Sequence, residues 1–301
     1  MALVNVGEAL ARREQERARL ATRLARLLAD DPRVLAGWLQ GSVGRGEADG
    51  LSDLDVTVVV ADEALAATAS APDRPTTYER IRTSPRGRFV AGLGAPALLT
   101  EAPQNAPAAG AFLSSFFPGE YGPHGVDWEW VPRSAAVPPE HTVVLLDRSD
   151  AAVDHPARSG PGTAGAAASE SPPRAPLEVS VAECCSFWSM LMWAGKYAAR
   201  ADPTACATLL GYAVRSLDVV SRFTGVTPPA DPDPDPDPAE PDRVRPSTAE
   251  RLRGQVGSLW LLADRMDALA PRLVDLGVDL PGDVGWAVRS YLNLVEALSN
   301  R

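Results

Sequence analysis

The first 150 residues combine one helical pattern of apolar positions with several short runs of β-branched residues. Leucines recur at near-helical spacing within Glu8–Ala29, and the Asp31-Pro32 pair is typical of a helix end. Leu54–Val60 (LDVTVVV) predicts a buried strand, because β-branched side chains pack well on a pleated sheet. Further predicted elements are strands at Val34–Leu39, Gly110–Phe117, Val126–Val131 and His141–Leu146, and a helix at Glu63–Ala69. No element is predicted for Pro72–Arg88.

The second half of the chain lacks strand alternation and predicts helices at Glu178–Ala201, Pro203–Thr224, Ser247–Leu276 and Asp283–Asn300. The segment Ala151–Pro176, rich in Ala, Gly, Ser and Pro, predicts a linker. The Asp-Pro repeat within 228–246 predicts a disordered, solvated loop, since each Asp before proline favours extended backbone. The sequence therefore predicts an α+β fold: a small mixed-sheet domain at 1–150, a linker at 151–177 and an all-helical domain at 178–301.

Composition and charge narrow the function. No apolar run approaches the length of a membrane span, and the N-terminus lacks the apolar core of a signal peptide, so a cytoplasmic protein without a membrane partner is expected. The net charge is -10; six acids lie in Asp231–Asp242, which leaves the rest of the chain at -4. Because a long polyanion requires a basic surface, a long nucleic acid is a poor candidate for a partner.

The residues most indicative of chemistry lie in Gln40–Val60. Asp53 and Asp55, two residues apart at the start of a strand, are expected to point to one face, with Cα atoms roughly 6.5–7 Å apart. This spacing suits two carboxylates that share metal ions about 3.5–4 Å apart, the separation used for phosphoryl displacement. The Gly41-Ser42 pair opens a glycine-rich loop whose backbone amides can approach a triphosphate closely.

These residues resemble a known family. The stretch from Gly41 to Gly46 (GSVGRG), followed by Ser52-Asp53-Leu54-Asp55, is similar to the nucleotidyltransferase superfamily of DNA polymerase β. It is closest in style to the aminoglycoside and lincosamide nucleotidyltransferases and to the minimal nucleotidyltransferase antitoxins. The subgroup carries alanine where this chain has Gly44, which is expected to be a steric near-equivalent. The resemblance covers about a fifteenth of the chain and extends weakly to about Asp150.

The resemblance also implies a third carboxylate on a neighbouring strand. Asp127, within GVDWEW, fits that position, and alternation places it with Glu129 on one face of the predicted strand. Asp127 is expected to complete a metal site with Asp53 and Asp55, or to accept the proton of the acceptor hydroxyl. Glu129 is the alternative base.

Further residues are candidates for holding the nucleotide. In the drug-modifying members of the family a helical domain closes over the site, and the resemblance implies the same here. Lys196 is the chain's single lysine, and Arg200 follows it at i+4 on the same helix face. Both are expected to hold the β- and γ-phosphates, while Gly41, Ser42 and Arg45 are expected to contact phosphate from the glycine-rich loop.

The sequence thus predicts a metal-dependent nucleotidyltransferase. It is expected to use magnesium, with two ions, and a nucleoside triphosphate, ATP first, to transfer NMP to a hydroxyl of an aminoglycoside-like small molecule in antibiotic resistance or biosynthesis. One alternative keeps the chemistry but places AMP on a protein, as the likeness to antitoxins allows. A second alternative is a catalytically silent nucleotide-binding protein.

Overall fold

The computed structural model describes residues 5–71, 78–148, 176–226 and 247–300. Within these ranges a six-stranded mixed sheet is followed by four long helices, so the predicted α+β class is confirmed at that level. The predicted Asp-Pro loop at 228–246 and residues 151–175 of the predicted linker lie outside the described residues. Pro176 and Leu177 already belong to a helix.

The sheet consists of β1 (Val34–Gln40), β2 (Leu54–Val60), β3 (Leu98–Thr100), β4 (Ala111–Phe117), β5 (His124–Pro132) and β6 (Val143–Asp147). The order across the sheet is β3-β4-β5-β2-β1-β6. Neighbouring strands pair antiparallel except β2 and β5, which are parallel. Because β2 and β5 run in the same direction, both begin at the same edge of the sheet, and the residues at their N-terminal ends lie side by side.

In the described part of residues 5–148, five α-helices accompany the sheet: α1 (Val6–Asp30), the one-turn α2 (Gly41–Gly44), α3 (Leu65–Ala69), α4 (Tyr78–Thr83) and α5 (Pro85–Ala91). The apolar stripe of α1 is buried in the main core. In that core Trp128 stacks on Trp130 with ring centres 5.8 Å apart, and Phe89 of α5 meets both rings edge-on. The predicted alternation of β5 is confirmed, since Asp127 and Glu129 are half-buried on the opposite face.

The C-terminal part contains α6 (Pro176–Ala199), α7 (Pro203–Thr224), α8 (Thr248–Asp275) and α9 (Val284–Ser299). Asp202 caps the start of α7, and Ser247 forms a capping box with Glu250 at the start of α8. Buried residues of these helices continue the apolar core of the sheet. The described residues include no helix that is long and apolar enough to cross a membrane.

The helical part contacts strands β3 and β4, which lie on one side of the sheet. Thr100 of β3 and Ser189 of α6 share a hydrogen bond of 2.6 Å between their hydroxyls. The rings of Phe116 on β4 and Trp193 on α6 lie with their centres 5.9 Å apart. These contacts place the C-terminal end of α6 beside the edge of the sheet at which β2 and β5 begin.

Three parts of the observed fold differ from the predicted elements. Helices α4 and α5 lie in and just beyond the stretch without a prediction, and α5 begins where Ser84 caps the backbone amide of Gly87. Strand β3 is absent from the predicted strands, because its three residues are too few to show an alternation of apolar and polar positions. The predicted loop Gly41–Ser52 begins with α2. A Cβ on Gly44 of this helix would overlap the carbonyl of His141, so alanine is not a steric equivalent here.

Candidate active site

Four polar residues occupy one row across the sheet, near the edge at which β2 and β5 begin. Asp55 of β2 is the register partner of Gln40 on β1 and of Asp127 on β5. Asp127 also pairs with Ser114 on β4, whose hydroxyl donates a hydrogen bond of 2.6 Å to the Asp127 carboxylate. Register partners present their side chains on the same face. Asp55 and Asp127 are therefore lateral neighbours.

The turn after β1 is fitted to Asp55. Gly41 has a φ of +63°, in the left-handed region that favours glycine. A Cβ at this position would overlap the Asp55 carboxylate. The Gly-Ser turn and the second acid of the Asp-x-Asp motif, separated in sequence, are therefore in direct contact.

Asp53 lies just before β2 and leans toward β5. A Cβ on Gly125 of β5 would lie 2.8 Å from Oδ1 of Asp53. The other carboxylate oxygen, Oδ2, accepts a hydrogen bond of 2.5 Å from Nζ of Lys196, and each side chain of this ion pair is 16% exposed. The chain's single lysine thus reaches the acid pair from α6.

Arg200, just after α6, binds the loop that precedes Asp53. Its guanidinium forms an ion pair with Asp49 at 2.7 Å and donates to Oγ of Ser52 at 3.1 Å. The hydroxyl of Ser52 in turn donates to the Asp49 carboxylate. Both of the bases predicted for phosphate binding are therefore already paired with acids at positions 49 and 53.

Two acids on this face, Asp127 and Asp55, have raised pKa values. Burial, with the charges of Asp53 and Asp55, raises the pKa of Asp127 to about 7, although the Ser114 hydrogen bond and the charge of Lys196 lower it. Burial and then the charge of Asp53 also raise the pKa of Asp55. A carboxyl group with a pKa near neutrality is suited to accept a proton at physiological pH.

Glu129 lies on the same face as Asp127 but is held by other residues. Its Oε2 accepts hydrogen bonds from the Gln40 amide at 3.0 Å and from the Thr57 hydroxyl at 3.4 Å. These contacts stabilise the Glu129 carboxylate, which lies two residues further along β5 than Asp127. Of the two predicted bases, Asp127 therefore has the environment better suited to proton transfer.

The remaining predicted residues are placed less centrally. Arg45 forms an ion pair of 2.7 Å with Glu47, and its side chain is 48% exposed. Its charge nevertheless reaches Asp55, where it slightly opposes the rise in pKa that burial causes. Ser42 is half-buried within α2, where its carbonyl accepts the amide of Glu47 at 2.9 Å.

Arg13 is a central residue that the sequence analysis did not identify. Its side chain, 2% exposed, donates to the carbonyls of Gly50 and of residues 121–123 at 2.8–3.0 Å. The guanidinium also lies over the ring of Tyr291 on α9, 5.0 Å from its centre. One cation therefore joins the loop before Asp53, the turn before β5 and the helical part. The signal in the sequence is an arginine on the apolar stripe of α1.

His124, at the start of β5, is a second buried polar residue near α1. Its Nε2 lies 3.0 Å from the Glu16 carboxylate. Burial, followed by the charges of Arg13 and Arg17, lowers the pKa of His124 to about 4. The hydrogen bond and the charge of Glu16 oppose this shift but do not cancel it. His124 is therefore neutral in the folded protein at physiological pH.

The donors suit magnesium in chemistry but are not assembled into a metal site. Among the described residues, no group of three or more His, Cys, Asp and Glu side chains is arranged to hold a metal ion. Asp55 and Asp127 supply the oxygen ligands that magnesium prefers. Burial is the largest cause of their raised pKa values, and the charge of Asp53 adds to it. In Asp53, the oxygen Oδ2 is already held by Lys196. The three-acid metal site stays a prediction.

A cavity of about 670 Å³ lies elsewhere, between α6, α8, α9 and the loop that joins α8 to α9. Its walls are mainly apolar, with Trp188, Met266 and Trp286 among them, and none of the acids of the sheet lines it. We place the candidate chemistry at the acids rather than in this cavity, because carboxylates with raised pKa values mark reactive sites more directly than volume does.

A comparison with protein-family models found no match, and a comparison with curated proteins found no similar sequence.

Proposed function

We propose that this protein is a metal-dependent nucleotidyltransferase of the DNA polymerase β type. It would transfer NMP from a nucleoside triphosphate to a hydroxyl of an aminoglycoside-like small molecule and release pyrophosphate. ATP is the nucleoside triphosphate that we propose. One observation carries the proposal: Asp55 and Asp127 are register partners on a parallel strand pair, and the Gly41 turn closes directly on Asp55. This arrangement gives the Gly-Ser and Asp-x-Asp motifs a shared location, as a nucleotidyltransferase requires.

The proposed reaction joins the acceptor to the α-phosphate. Magnesium held by Asp53 and Asp55 would offset the charge of the triphosphate and activate the attacking hydroxyl. The Asp127 carboxylate takes the hydroxyl proton, the acceptor oxygen forms a bond to the α-phosphorus, and the bond from that phosphorus to the bridging oxygen breaks. Pyrophosphate leaves with both electrons of the broken bond, and Lys196 and Arg200 supply the positive charge that stabilises it.

We assign catalysis to the sheet domain at 1–150 and enclosure of the substrates to the helical domain. The ion pair between α6 and Asp53 supports this division, because it brings a base of the helical part to the acids of the sheet. Binding between two parts of a chain also allows the nucleotide and the acceptor to be held in one orientation, which supplies much of the catalysis in phosphoryl transfer.

The test is a pyrophosphate-release screen with four nucleoside triphosphates against aminoglycosides, lincosamides and related hydroxyl-bearing compounds. Asp55→Asn and Asp127→Asn are expected to abolish release in any positive reaction. Glu129→Gln is the matched control on the same strand face, and it should keep at least about a tenth of the activity because only its contacts with Gln40 and Thr57 change.

Other outcomes would select an alternative. Nucleotide binding by calorimetry without pyrophosphate release across the whole panel would refute transfer and indicate a silent nucleotide-binding protein. Labelled nucleotide that accumulates on protein in a cell lysate, and not on small molecules, would refute the small-molecule acceptor. Equal activity of Asp127→Asn and the unmodified protein would refute the assigned base.

A further inference from the structure

We infer that Lys196 acts as a built-in counter-ion that keeps metal from Asp53 until a triphosphate binds, so that metal and nucleotide enter the site together. This inference rests on the proposed function. It concerns the order of binding at that site, not the transfer itself.

The contact between Lys196 and Asp53 carries the inference. Nζ of Lys196 lies 2.5 Å from Oδ2 of Asp53, and both side chains are largely buried. The Lys196 ammonium therefore occupies a position beside Oδ2 of Asp53 that a metal ion would need, and its positive charge partly neutralises the carboxylate. A divalent cation that binds Oδ2 of Asp53 therefore competes with an ion pair that is sheltered from solvent.

A triphosphate offers the lysine an alternative partner. The ammonium of lysine is a compact charge on a flexible four-carbon stem, so it can change partners without movement of the helix that carries it. When Lys196 transfers to a phosphate oxygen, the Asp53 carboxylate becomes available to the metal ion that arrives with the nucleotide. The acids at positions 53, 55 and 127 then face a cation of higher charge.

The base that follows α6 provides an internal comparison. Arg200 carries the same unit charge and lies four residues further on, but it pairs with Asp49 and not with the predicted metal ligands. Removal of this charge changes the local potential without freeing a predicted ligand. A specific effect of Lys196 can therefore be separated from a general gain in negative charge.

The test measures Mn²⁺ binding by electron paramagnetic resonance in the full chain, first without nucleotide. Lys196→Met is expected to bind Mn²⁺ about tenfold more tightly than the unmodified protein, the size expected for loss of one close charge pair. Arg200→Met should stay within about threefold of the unmodified protein. Asp53→Asn combined with Lys196→Met should lose the gain. Lys196→Gln, which keeps a polar side chain, provides a second variant if the methionine protein fails to fold.

Nucleotide addition separates the two proposals. With a non-hydrolysable ATP analogue, the unmodified protein is expected to bind Mn²⁺ at least as tightly as Lys196→Met does alone. Equal Mn²⁺ affinity of the unmodified protein and both Lys196 variants without nucleotide would overturn the counter-ion role while leaving the proposed function intact. Absence of Mn²⁺ binding in every protein, with analogues of all four nucleoside triphosphates, would overturn both.

Discussion

Replacing Arg13 with methionine is expected to destabilise the protein strongly, although no candidate catalytic atom is removed. The guanidinium is buried and donates four hydrogen bonds to backbone carbonyls in two segments, one of which leads into Asp53 and the other into β5. Methionine retains the apolar stem of the side chain but leaves these carbonyls without their donor. Both segments are then expected to loosen.

The magnitude follows from the contacts. A hydrogen bond from a charged donor contributes about 1.5 kcal/mol at the lower end, so four contribute about 6 kcal/mol. Burial of the guanidinium carries a desolvation cost, which also lowers the pKa of Arg13 and which the variant no longer bears. If that cost offsets half of the gain, the free energy of unfolding falls by about 3 kcal/mol.

Urea unfolding followed by tryptophan fluorescence measures this change. Arg12→Met is the matched control, because Arg12 is the adjacent residue, is 39% exposed and forms ion pairs with Glu16 and Glu120 at the surface. Such surface pairs contribute about 0–1 kcal/mol. Midpoints for Arg13→Met and Arg12→Met that agree within experimental error would refute the assigned role of the buried cation.

Three further predictions concern the glycine turn, the acid on β5 and the buried histidine. Gly41→Ala should lower turnover about 100-fold, because its methyl group would displace the Asp55 carboxylate. Gly46→Ala, also at positive φ but with open space around it, should retain activity. Equal losses of turnover in the two variants would refute a specific contact between Gly41 and Asp55. Ser114→Ala removes a hydrogen bond that lowers the pKa of Asp127, so the acidic limb of the kcat/KM profile should move to higher pH, and an unchanged profile would contradict Asp127 as the base. The pKa of His124 is lowered in the folded protein, so neutral His124 stabilises the fold above about pH 6.5. This contribution, about 3 kcal/mol in the free energy of unfolding, is lost as the pH falls toward 4. Urea unfolding at pH 7.5 and 5 should show about 2 kcal/mol of this loss in the unmodified protein and none of it in His124→Gln.

The local elements near the site were predictable from the sequence. The β-branched run of β2 and the alternation of acids and tryptophans in β5 are short-range patterns, and each leaves only one face for the carboxylates. The spacing of Lys196 and Arg200 also predicts that both bases share one side of a helix; Lys196 lies in α6, whereas Arg200 follows its last residue. These features depend on residues close together in the chain, which periodicity describes well.

The arrangement between elements was not predictable in the same way. The parallel pairing of β2 with β5 joins residues about seventy positions apart, and no local pattern specifies that register. The pairing of Lys196 with Asp53 spans a still longer separation, so the sequence indicated a base of suitable charge but not the acid that holds it. Arg13 was missed because helix patterns assign arginine to solvent, whereas here backbone carbonyls satisfy it.

The presence of one lysine has a practical consequence. Apart from the α-amino group, Nζ of Lys196 is the chain's single primary amine, and it is the atom held by Asp53. An amine-reactive reagent therefore modifies one side chain besides the α-amino group, and the rate of its addition to Lys196 reports how often the ion pair with Asp53 opens. Mass spectrometry of peptides, which separates Lys196 from the α-amino group, can thus follow the opening of the candidate site without an assay for product.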